Sequence, residues 1–519
     1  MENRRAYFLT NNLLTIIMNT LETQKSPIIS TGEATGFIPA RNTSLTPITL
    51  IGTQAIRDGF DGTCLKQALN SREAPGVTQL VLNPDAHAGY GAPVGCVMVS
   101  PTHIYPGPVG VDIKCAMSLL QTNVHKDVID DKSVRRALIN AICERTPTGA
   151  GKDQRSVKHG RNISAELGRK VCIEGASEEV CEALGIPFEW ASRCEDSFHL
   201  GHDRTQAALE RRFEKLCENG QFKERFPKKA RQLGTYGGGN HFGEAEVVEI
   251  GKGKKAREAA EVFGLKHDHV AFLSHCGSRG LGHDLAAGQF KVLEKMFDDW
   301  GIPYPANDKK LVYAPLGTPQ ANDYLDDMAI GCNFATVNHL LINALVLEAF
   351  QEVLPGTEGS LVYFISHNIA RHEKVGEKFQ WVHRKGATRA FPAGHFALKE
   401  TPFYETGHPI LLPGNPRDGS VVMAALPGAE KSCYSVNHGA GRCLGRKAAF
   451  RQLDQKEVDA GLEEADILFN GRTYPRDEAP DAYKDFKEVL DSVEKAELAH
   501  KVAHLRARFV IKDGSKADD

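Results

Sequence analysis

Asp112 and Cys115 place a hard oxygen donor and a soft sulfur donor three residues apart. The segment that contains them, Gly110 to Cys115, reads GVDIKC. A thiolate binds metals and has enough lone pairs to bridge two cations, so this pair could belong to a two-metal centre. Alone, the spacing is a weak signal, because a core cysteine beside a loop-capping aspartate shows the same pattern.

Three histidines strengthen the metal hypothesis: His241, His275 and His367. Each lies in a turn that opens or closes a predicted strand, next to a polar residue. Those polar neighbours are Asn240, Ser274 and Asn368. Imidazole combined with carboxylate and thiolate suits manganese, iron, cobalt or zinc, and the sequence does not distinguish these metals.

His438 indicates a second kind of chemistry. It lies in the segment NHGAGR, where glycines leave backbone N–H groups free and Arg442 could bind phosphate. A neutral imidazole there could attack phosphorus and form a phosphoramidate, since histidine is among the side chains that act as covalent nucleophiles. The alternative is a simple glycine turn. The sequence has no G-x-x-x-x-G-K-S/T segment and no G-x-S-x-G elbow, so neither a P-loop nor an α/β-hydrolase is supported.

A mixed α/β fold must position these segments, because strand-like and helix-like patterns alternate along the chain. Predicted strands cover Val77–Leu82, Cys96–Val99, Ser118–Leu120, Glu246–Ile250, His269–Leu273, Ser360–Ile365 and Arg508–Lys512. Predicted helices cover Val134–Cys143, Ser164–Glu174, Gln206–Cys217, Ala335–Leu354 and Tyr483–Leu505. We expect an N-terminal extension over 1–45, one catalytic domain over 46–514 with a helical insertion at about 126–232, and a tail over 515–519.

The composition is that of a folded protein in a reducing compartment. The chain has 519 residues, 41% hydrophobic and 25% charged, with a net charge of -3, so binding to a polyanion would need a local basic site. Its 12 cysteines include no C-x-x-C pair, which favours the cytoplasm. Polar residues interrupt the apolar patch within Met1–Leu21, which argues against a signal peptide, and we expect no membrane-spanning segment.

Taken together in chain order, the motifs closely resemble those of the RtcB family of RNA ligases. The resemblance runs from about Ile48 to Gly514 and rests on six segments. They are DAHAGYGAPVG at 85–95, GVDIKC at 110–115, GGGNHFGE at 237–244, SHCGSRGLGH at 274–283, SHNIARHE at 366–373 and NHGAGR at 437–442.

This resemblance implies a single large catalytic domain with central β-sheets and a deep metal-binding cleft. Members join RNA ends bearing a 3′-phosphate or a 2′,3′-cyclic phosphate to 5′-hydroxyl ends, using GTP and Mn²⁺, in RNA repair or tRNA splicing. By motif position, two Mn²⁺ ions would be held by Asp112, Cys115, His241, His275 and His367, with Cys115 bridging. His438 would carry the guanylyl group, and Asp85 would orient it.

The same resemblance assigns a nucleotide-binding set. Its members are Asn240, His241, Phe242, Gly243, Glu244, His367, Asn368, Pro413, Gly414, Asn415, Pro416, Ser420, His438, Gly439, Ala440, Gly441 and Lys512. Three features depart from the family pattern: Asn415-Pro416-Arg417 replaces Ser-Met-Gly, Cys276 replaces serine, and Lys114 lies between two expected ligands. These departures make a divergent paralogue with a repair role a hypothesis for this chain.

Two other functions remain open from the residues alone: a metal-dependent phosphoesterase that uses the same dinuclear site, and a non-catalytic RNA-binding scaffold. The candidates for RNA phosphate contacts are Arg279, Arg389 and the basic run Lys223 to Arg231, which could equally be a solvated helix end. Archease, on which some family members depend, is a candidate partner. We expect a monomer or weak oligomer.

Overall fold

Two large β-sheets form the framework, which a computed structural model describes for residues 28–41, 44–196 and 204–514. The strands are β1 (Ile29–Gly32), β2 (Thr35–Ile38), β3 (Ile48–Ile51), β4 (Gln79–His87), β5 (Val94–Ser100), β6 (His103–Ile104), β7 (Ala116–His125), β8 (Phe242–Ile250), β9 (His269–Cys276), β10 (Ala314–Pro315), β11 (Gly359–Ser366), β12 (Asn368–Val375), β13 (Lys378–Lys385), β14 (Ala387–Arg389), β15 (Pro409–Asn415), β16 (Gly419–Ala425), β17 (Ser435–Asn437), β18 (Leu468–Phe469) and β19 (Ala499–Lys512).

Helices occupy the chain segments between strands, and several of them pack on the sheets. They are α1 (Gln54–Asp58), α2 (Gly62–Glu73), α3 (Lys132–Cys143), α4 (Ala165–Glu174), α5 (Glu178–Leu184), α6 (Gln206–Glu218), α7 (Gly220–Ala230), α8 (Lys254–Phe263), α9 (Arg279–Trp300), α10 (Pro319–Val353), α11 (Arg446–Gln452), α12 (Gln455–Glu464) and α13 (Phe486–Lys495). The predicted mixed α/β class is confirmed.

The sheet topology is mainly antiparallel. One eight-stranded sheet has the order β11-β7-β9-β8-β19-β16-β15, with β18 paired in parallel to β19. The seven-stranded sheet has the order β1-β2-β3-β4-β5-β13-β12, in which β3 and β4 are parallel. Strands that are distant in the sequence therefore become neighbours.

The strand register brings the predicted metal-binding motifs to the same end of neighbouring strands in the eight-stranded sheet. Ser366 pairs with Ala116, and Ala116 pairs with Cys276 across the next ladder. Phe242 pairs with His275. Because side chains at the ends of adjacent strands lie a few ångströms apart, this register places the residues next to each strand end side by side.

The long helix α10 lies in the hydrophobic core beside the eight-stranded sheet. Its mean hydropathy is 1.5 over its most apolar 18 residues, so by length and composition it could cross a membrane. The expectation that no segment is long and apolar enough to do so was therefore wrong. In the protein, 89% of that window is buried. It packs on α3, α4, α6 and α9 and on strands β7, β9 and β11, which is the behaviour of a core helix.

The C-terminal segment differs from the sequence prediction. A helix was expected over Tyr483–Leu505, but α13 ends at Lys495 and β19 begins at Ala499. From Ala503 to Phe509, buried residues alternate with more exposed ones, which is the period of a strand. Pairing of β19 with both β16 and β8 satisfies its backbone, so tertiary pairing overrides the local helical pattern.

The predicted domain boundaries and the helical insertion remain predictions. Within the expected extension, β1 and β2 pair with each other and extend the seven-stranded sheet through β3. Between 126 and 232, every regular element among the described residues is helical. The segment Met1–Leu21, considered above as a signal peptide, and the tail 515–519 lie outside the described residues.

Candidate active site and metal centre

The five predicted metal ligands converge around the sulfur of Cys115. Its Sγ lies 3.4 Å from Nε2 of His241 and 3.3 Å from Nε2 of His275. Nε2 of His275 lies 3.3 Å from Nε2 of His367, and Nε2 of His241 lies 3.0 Å from the Asp112 carboxylate. The donors form two groups, Asp112–Cys115–His241 and Cys115–His275–His367, each with its ligand atoms within 4.8 Å of one another. A shared sulfur is what a bridged two-metal centre requires.

The protonation of two of these groups, His275 and His367, fits a divalent transition metal. Burial lowers the pKa of His275 and of His367 well below the usual range, so their rings are neutral and offer lone pairs. For His241 burial acts in the same direction, but the nearby Cys115, Cys276 and Asp112 hold the pKa of its ring well above the usual range. Burial, followed by the nearby Asp112 charge, raises the pKa of the Cys115 thiol to about 12. Bound cations would favour the thiolate, because they supply the positive charge that this buried sulfur lacks.

Contacts behind the cluster orient its side chains. Nδ1 of His241 lies 2.9 Å from the carbonyl of Tyr236, which leaves Nε2 for a metal. Gly277 approaches Asp112 so closely that a Cβ there would overlap the carboxylate. Beneath them, the helix α10 supplies Asn338 and His339, which bond to the carbonyls of Gly277 and Cys276 at 3.0 Å each.

His438 lies beside this cluster, immediately after β17. Its ring centroid is 4.4 Å from that of His367 and 6.4 Å from that of His275. Its Nδ1 faces two acceptors, the Asp85 carboxylate at 2.8 Å and the carbonyl of Gly386 at 3.0 Å. Because both acceptors demand a proton on Nδ1, the lone pair is on Nε2, which is the nitrogen free to act as a nucleophile.

A pocket of about 340 Å³ lies between the two large sheets and contains both features. The predicted nucleotide-binding residues that line it are Asn240, Phe242, Glu244, His367, Asn368, Pro413, Gly414, Asn415, Pro416, Ser420, His438, Gly439, Ala440, Gly441 and Lys512. Among the predicted metal ligands, Asp112, Cys115, His275 and His367 also line it. His241, Gly243 and Asp85 are not among the residues that line it. The volume is within the range of small-molecule sites.

Two buried carboxyls lie on the same face of β8: Glu244, which lines the pocket, and Glu246. Burial raises the pKa of Glu244 to about 8, although Lys512 opposes the shift. Burial and the neighbouring Glu244 raise the pKa of Glu246 well above its usual value. Two adjacent buried carboxyls cannot both ionise easily, so Glu244, which faces Lys512 and the pocket, is the one that ionises first.

Sequence reasoning missed Glu478, a buried carboxylate in the pocket wall that pairs with three cations. It lies 3.2 Å from Lys512, 2.9 Å from Arg446 and 3.1 Å from Arg442. Its segment has no glycine-rich motif, so only the fold reveals it. Lys385, Arg446 and Tyr474 also line the pocket without having been selected from the sequence.

The structure revises the candidate phosphate contacts. Arg442 is engaged with Glu478 and with the carbonyls of Asp477 and Leu444. Arg389, expected to contact RNA, is buried and pairs with carboxylates, so that expectation was wrong. Arg279 lies 3.2 Å from Nδ1 of His241, at the metal cluster.

In the basic run, Lys229 and Arg231 pair with Asp284 and Asp153. Lys223, Arg225 and Lys228 are exposed on α7. The run can therefore offer these three side chains to a phosphate backbone, and its role remains a prediction.

The segment Asn415-Pro416-Arg417, which departs from the family pattern, forms a turn closed by the Asn415 side chain. The Asn415 side-chain oxygen accepts hydrogen bonds from the backbone of Arg417 and Asp418, both at 3.0 Å, and its amide donates to the Asp418 carboxylate at 2.6 Å. The turn lies between β15 and β16 and presents Asn415 and Pro416 to the pocket. Arg417 points away toward Asp481, at 3.2 Å.

Comparison with known proteins agrees with this arrangement. A family model described as tRNA-splicing ligase RtcB matches residues 67–513. The tRNA-splicing ligase RtcB of Thermococcus kodakarensis is 33% identical over 472 residues, which cover 86% of this chain and 90% of that protein. Its counterpart in Archaeoglobus fulgidus is 35% identical, with the same coverage. RNA-splicing ligase RtcB homolog 1 of Entamoeba dispar is 33% identical over 87% of this chain and 82% of its own length. The chain therefore belongs to the RtcB family of enzymes.

Proposed function

We propose that this enzyme is a GTP- and Mn²⁺-dependent RNA ligase that joins 3′-phosphate or 2′,3′-cyclic phosphate ends to 5′-hydroxyl ends. The observation that carries the proposal is that one pocket contains a histidine with a free Nε2, His438, beside a five-residue metal-ligand cluster. The names of its relatives, which are tRNA- and RNA-splicing ligases, support RNA as the substrate.

In the first step, Nε2 of His438 attacks the α-phosphorus of GTP. An N–P bond forms, the bond to the bridging oxygen breaks, and pyrophosphate leaves with the electron pair. Asp85 and the Gly386 carbonyl keep the proton on Nδ1 and stabilise the positive charge that develops on the ring. The residues available to receive the base are Phe242, Glu244 and Lys512, which line the same pocket.

The residues that we propose would hold two Mn²⁺ ions are Asp112, Cys115, His241, His275 and His367. When bound, such ions withdraw charge from phosphoryl oxygens and lower the barrier to their substitution. The neutral rings of His275 and His367 hold no proton that would oppose binding. Asp112 contributes the hard oxygen that manganese favours.

In the second step, an oxygen of the RNA 3′-phosphate attacks the phosphorus on His438, which breaks the N–P bond and activates the RNA end. The 5′-hydroxyl then attacks the RNA phosphorus, loses its proton, and releases GMP. A cyclic phosphate must first be opened by water. Lys223, Arg225 and Lys228 are proposed to follow the RNA backbone.

The biological setting is also a proposal: a cytoplasmic enzyme in tRNA splicing or RNA repair, as a monomer or weak oligomer, with archease as a candidate activator. The experiment is an end-joining assay with two defined RNAs, one bearing a 3′-phosphate and one a 5′-hydroxyl. We expect a joined product that requires GTP and Mn²⁺. Release of inorganic phosphate without joining would favour a phosphoesterase and contradict the proposal.

A further inference from the structure

Two consecutive carboxylates, the buried Glu195 and the largely buried Asp196, lie behind the predicted metal cluster. The backbone N–H of Glu195 donates to the carbonyl of Phe364 at 2.9 Å, which ties this segment to β11. The Glu195 carboxylate accepts hydrogen bonds from the backbone N–H of Ser366, at 3.0 Å, and from its hydroxyl. Ser366 directly precedes His367, so Glu195 fixes the backbone immediately before that predicted ligand.

Asp196 connects to the other metal-binding loop through Lys114. The Lys114 ammonium is buried, 3.9 Å from the Asp196 carboxylate and 5.3 Å from the ring centre of Phe364. Lys114 lies between Asp112 and Cys115 and has a φ of 54°, a left-handed conformation that is unfavourable for lysine. The ion pair with Asp196, and a hydrogen bond from the Lys114 backbone N–H to the carbonyl of Asn368 at 2.8 Å, oppose this backbone cost.

Three carboxylates and four cations form the buried network around these residues. Asp196 also pairs with Arg371 at 2.9 Å and with Arg389 at 2.5 Å. Although burial opposes it, the charges of Arg371, Arg389 and Lys114 hold the pKa of Asp196 well below its usual range. Arg389 continues the network to Glu195 and Glu373, and Glu373 pairs with Arg384.

We propose that Glu195 and Asp196 are positioning residues for the metal centre, one acting on His367 through Ser366 and the other on the Asp112–Cys115 loop through Lys114. Neither carboxylate touches a reacting atom. Together they fix the two metal-bearing segments relative to each other from a single dipeptide. This inference rests on the metal centre of the proposed function and adds the two residues that set the geometry of its ligands.

The physical reason is the precision that a two-metal site demands. A ligand cluster is productive only when its donors are held within about 0.5 Å of the required positions. Removing a group that orients a ligand commonly weakens metal binding by about 10- to 100-fold. A buried carboxylate that accepts two hydrogen bonds from Ser366, and another paired with three cations, can supply that rigidity.

Glu373 provides the matched control. It is buried in the same network and pairs with Arg384 and Arg389. Its Gln variant breaks buried ion pairs of the same kind without removing the contacts to Ser366 or Lys114. Lys114→Met is the complementary variant: it removes the link to the loop while Asp196 keeps Arg371 and Arg389, so folding should be preserved.

The experiment measures Mn²⁺ affinity by calorimetry and the Co²⁺ absorption spectrum, which reports thiolate coordination, in the full chain and in Glu195→Gln, Asp196→Asn, Lys114→Met and Glu373→Gln. We expect about 10- to 100-fold weaker Mn²⁺ binding and an altered Co²⁺ spectrum in the first three variants. Glu373→Gln should lower Tm and leave both metal readouts close to those of the unmodified chain.

Unchanged metal binding in Lys114→Met and Glu195→Gln would overturn the inference, as would an equal loss in Glu373→Gln, since that would make the effect one of general stability. If the unmodified chain itself failed to bind Mn²⁺ or Co²⁺, that result would contradict the metal centre of the proposed function, on which this inference rests. The two failures are therefore distinguishable.

Discussion

The imidazole of His438 lies 4.4 Å, centroid to centroid, from the imidazole of His367. The first is the proposed nucleophile and the second a proposed metal ligand, and they come from different strand ends. Their proximity means that a phosphorus atom attacked by His438 would lie next to the metal cluster.

Asp85→Asn should slow guanylylation of His438 by about 10²- to 10⁴-fold. The amide that replaces the carboxylate can donate a proton to Nδ1, which favours the tautomer with the proton on Nε2 and removes the nucleophilic lone pair. The measurement is the single-turnover rate of label transfer from α-labelled GTP. A rate within about threefold of normal, with Tm unchanged, would contradict the assigned tautomer.

GTP affinity should increase as pH rises through about 8. Burial raises the pKa of Glu244 to about 8, so its carboxyl is largely protonated below that pH and loses an acceptor for the N–H groups of guanine. The dissociation constant can be measured by calorimetry between pH 6.5 and 9. In Glu244→Gln the same profile should be flatter, which separates this carboxyl from Glu246 and Lys512; an identical slope in both proteins would rule out Glu244 as the titrating group.

Glu373→Gln should lower the free energy of unfolding by about 3 kcal/mol, because it leaves buried guanidinium groups without their partner. Although burial raises it, the charges of Arg384 and Arg389 hold the pKa of Glu373 at about 2, below the unfolded value of about 4.3. Its stabilisation is therefore fully present above pH 4.3 and is lost as pH falls toward 2.

Denaturant unfolding at several pH values checks this ion-pair prediction. The exposed Glu377, which pairs with Lys374, supplies the control, and Glu377→Gln should change stability by less than about 0.5 kcal/mol. Equal effects of the two variants would show that the buried pairs contribute no more than a surface pair.

Gly277→Ala should weaken Mn²⁺ binding, because the added Cβ would overlap the Asp112 carboxylate and displace this proposed metal ligand. Gly288→Ala is the control: a Cβ there meets nothing within 4 Å, and alanine favours the helix α9. Calorimetric titration with Mn²⁺ should separate the two variants. Normal affinity in Gly277→Ala would mean that Asp112 is not required as a ligand.

The sequence could predict the donors of the site but not how they come together. Residue types and turns made Cys115, His275 and His367 candidates, since thiolate and imidazole donors together suit a transition metal, and the resemblance to the RtcB family implied their roles. Their convergence depends on the register of β11, β7 and β9, which is set by pairing between segments far apart in the chain. Local patterns do not encode such pairing.

The remaining differences have the same origin. The strand β19 was predicted in part as a helix because its polar residues also fit a helical face, and only its two partner strands decide the outcome. Glu478 and Glu195 belong to segments without a recognisable motif. Folding places Glu478 against Lys512 and Glu195 against Ser366, and no residue spacing in the sequence predicts those contacts.

The central claim is that His438 is a nucleophile activated beside a metal cluster, and covalent labelling tests it most directly. The protein is incubated with α-labelled GTP and Mn²⁺, digested, and the labelled peptide mapped. We predict one guanylyl group, labile in acid and stable in base, on His438, and its loss in His438→Ala. Failure to form a covalent adduct, or an adduct on another residue, would contradict the account.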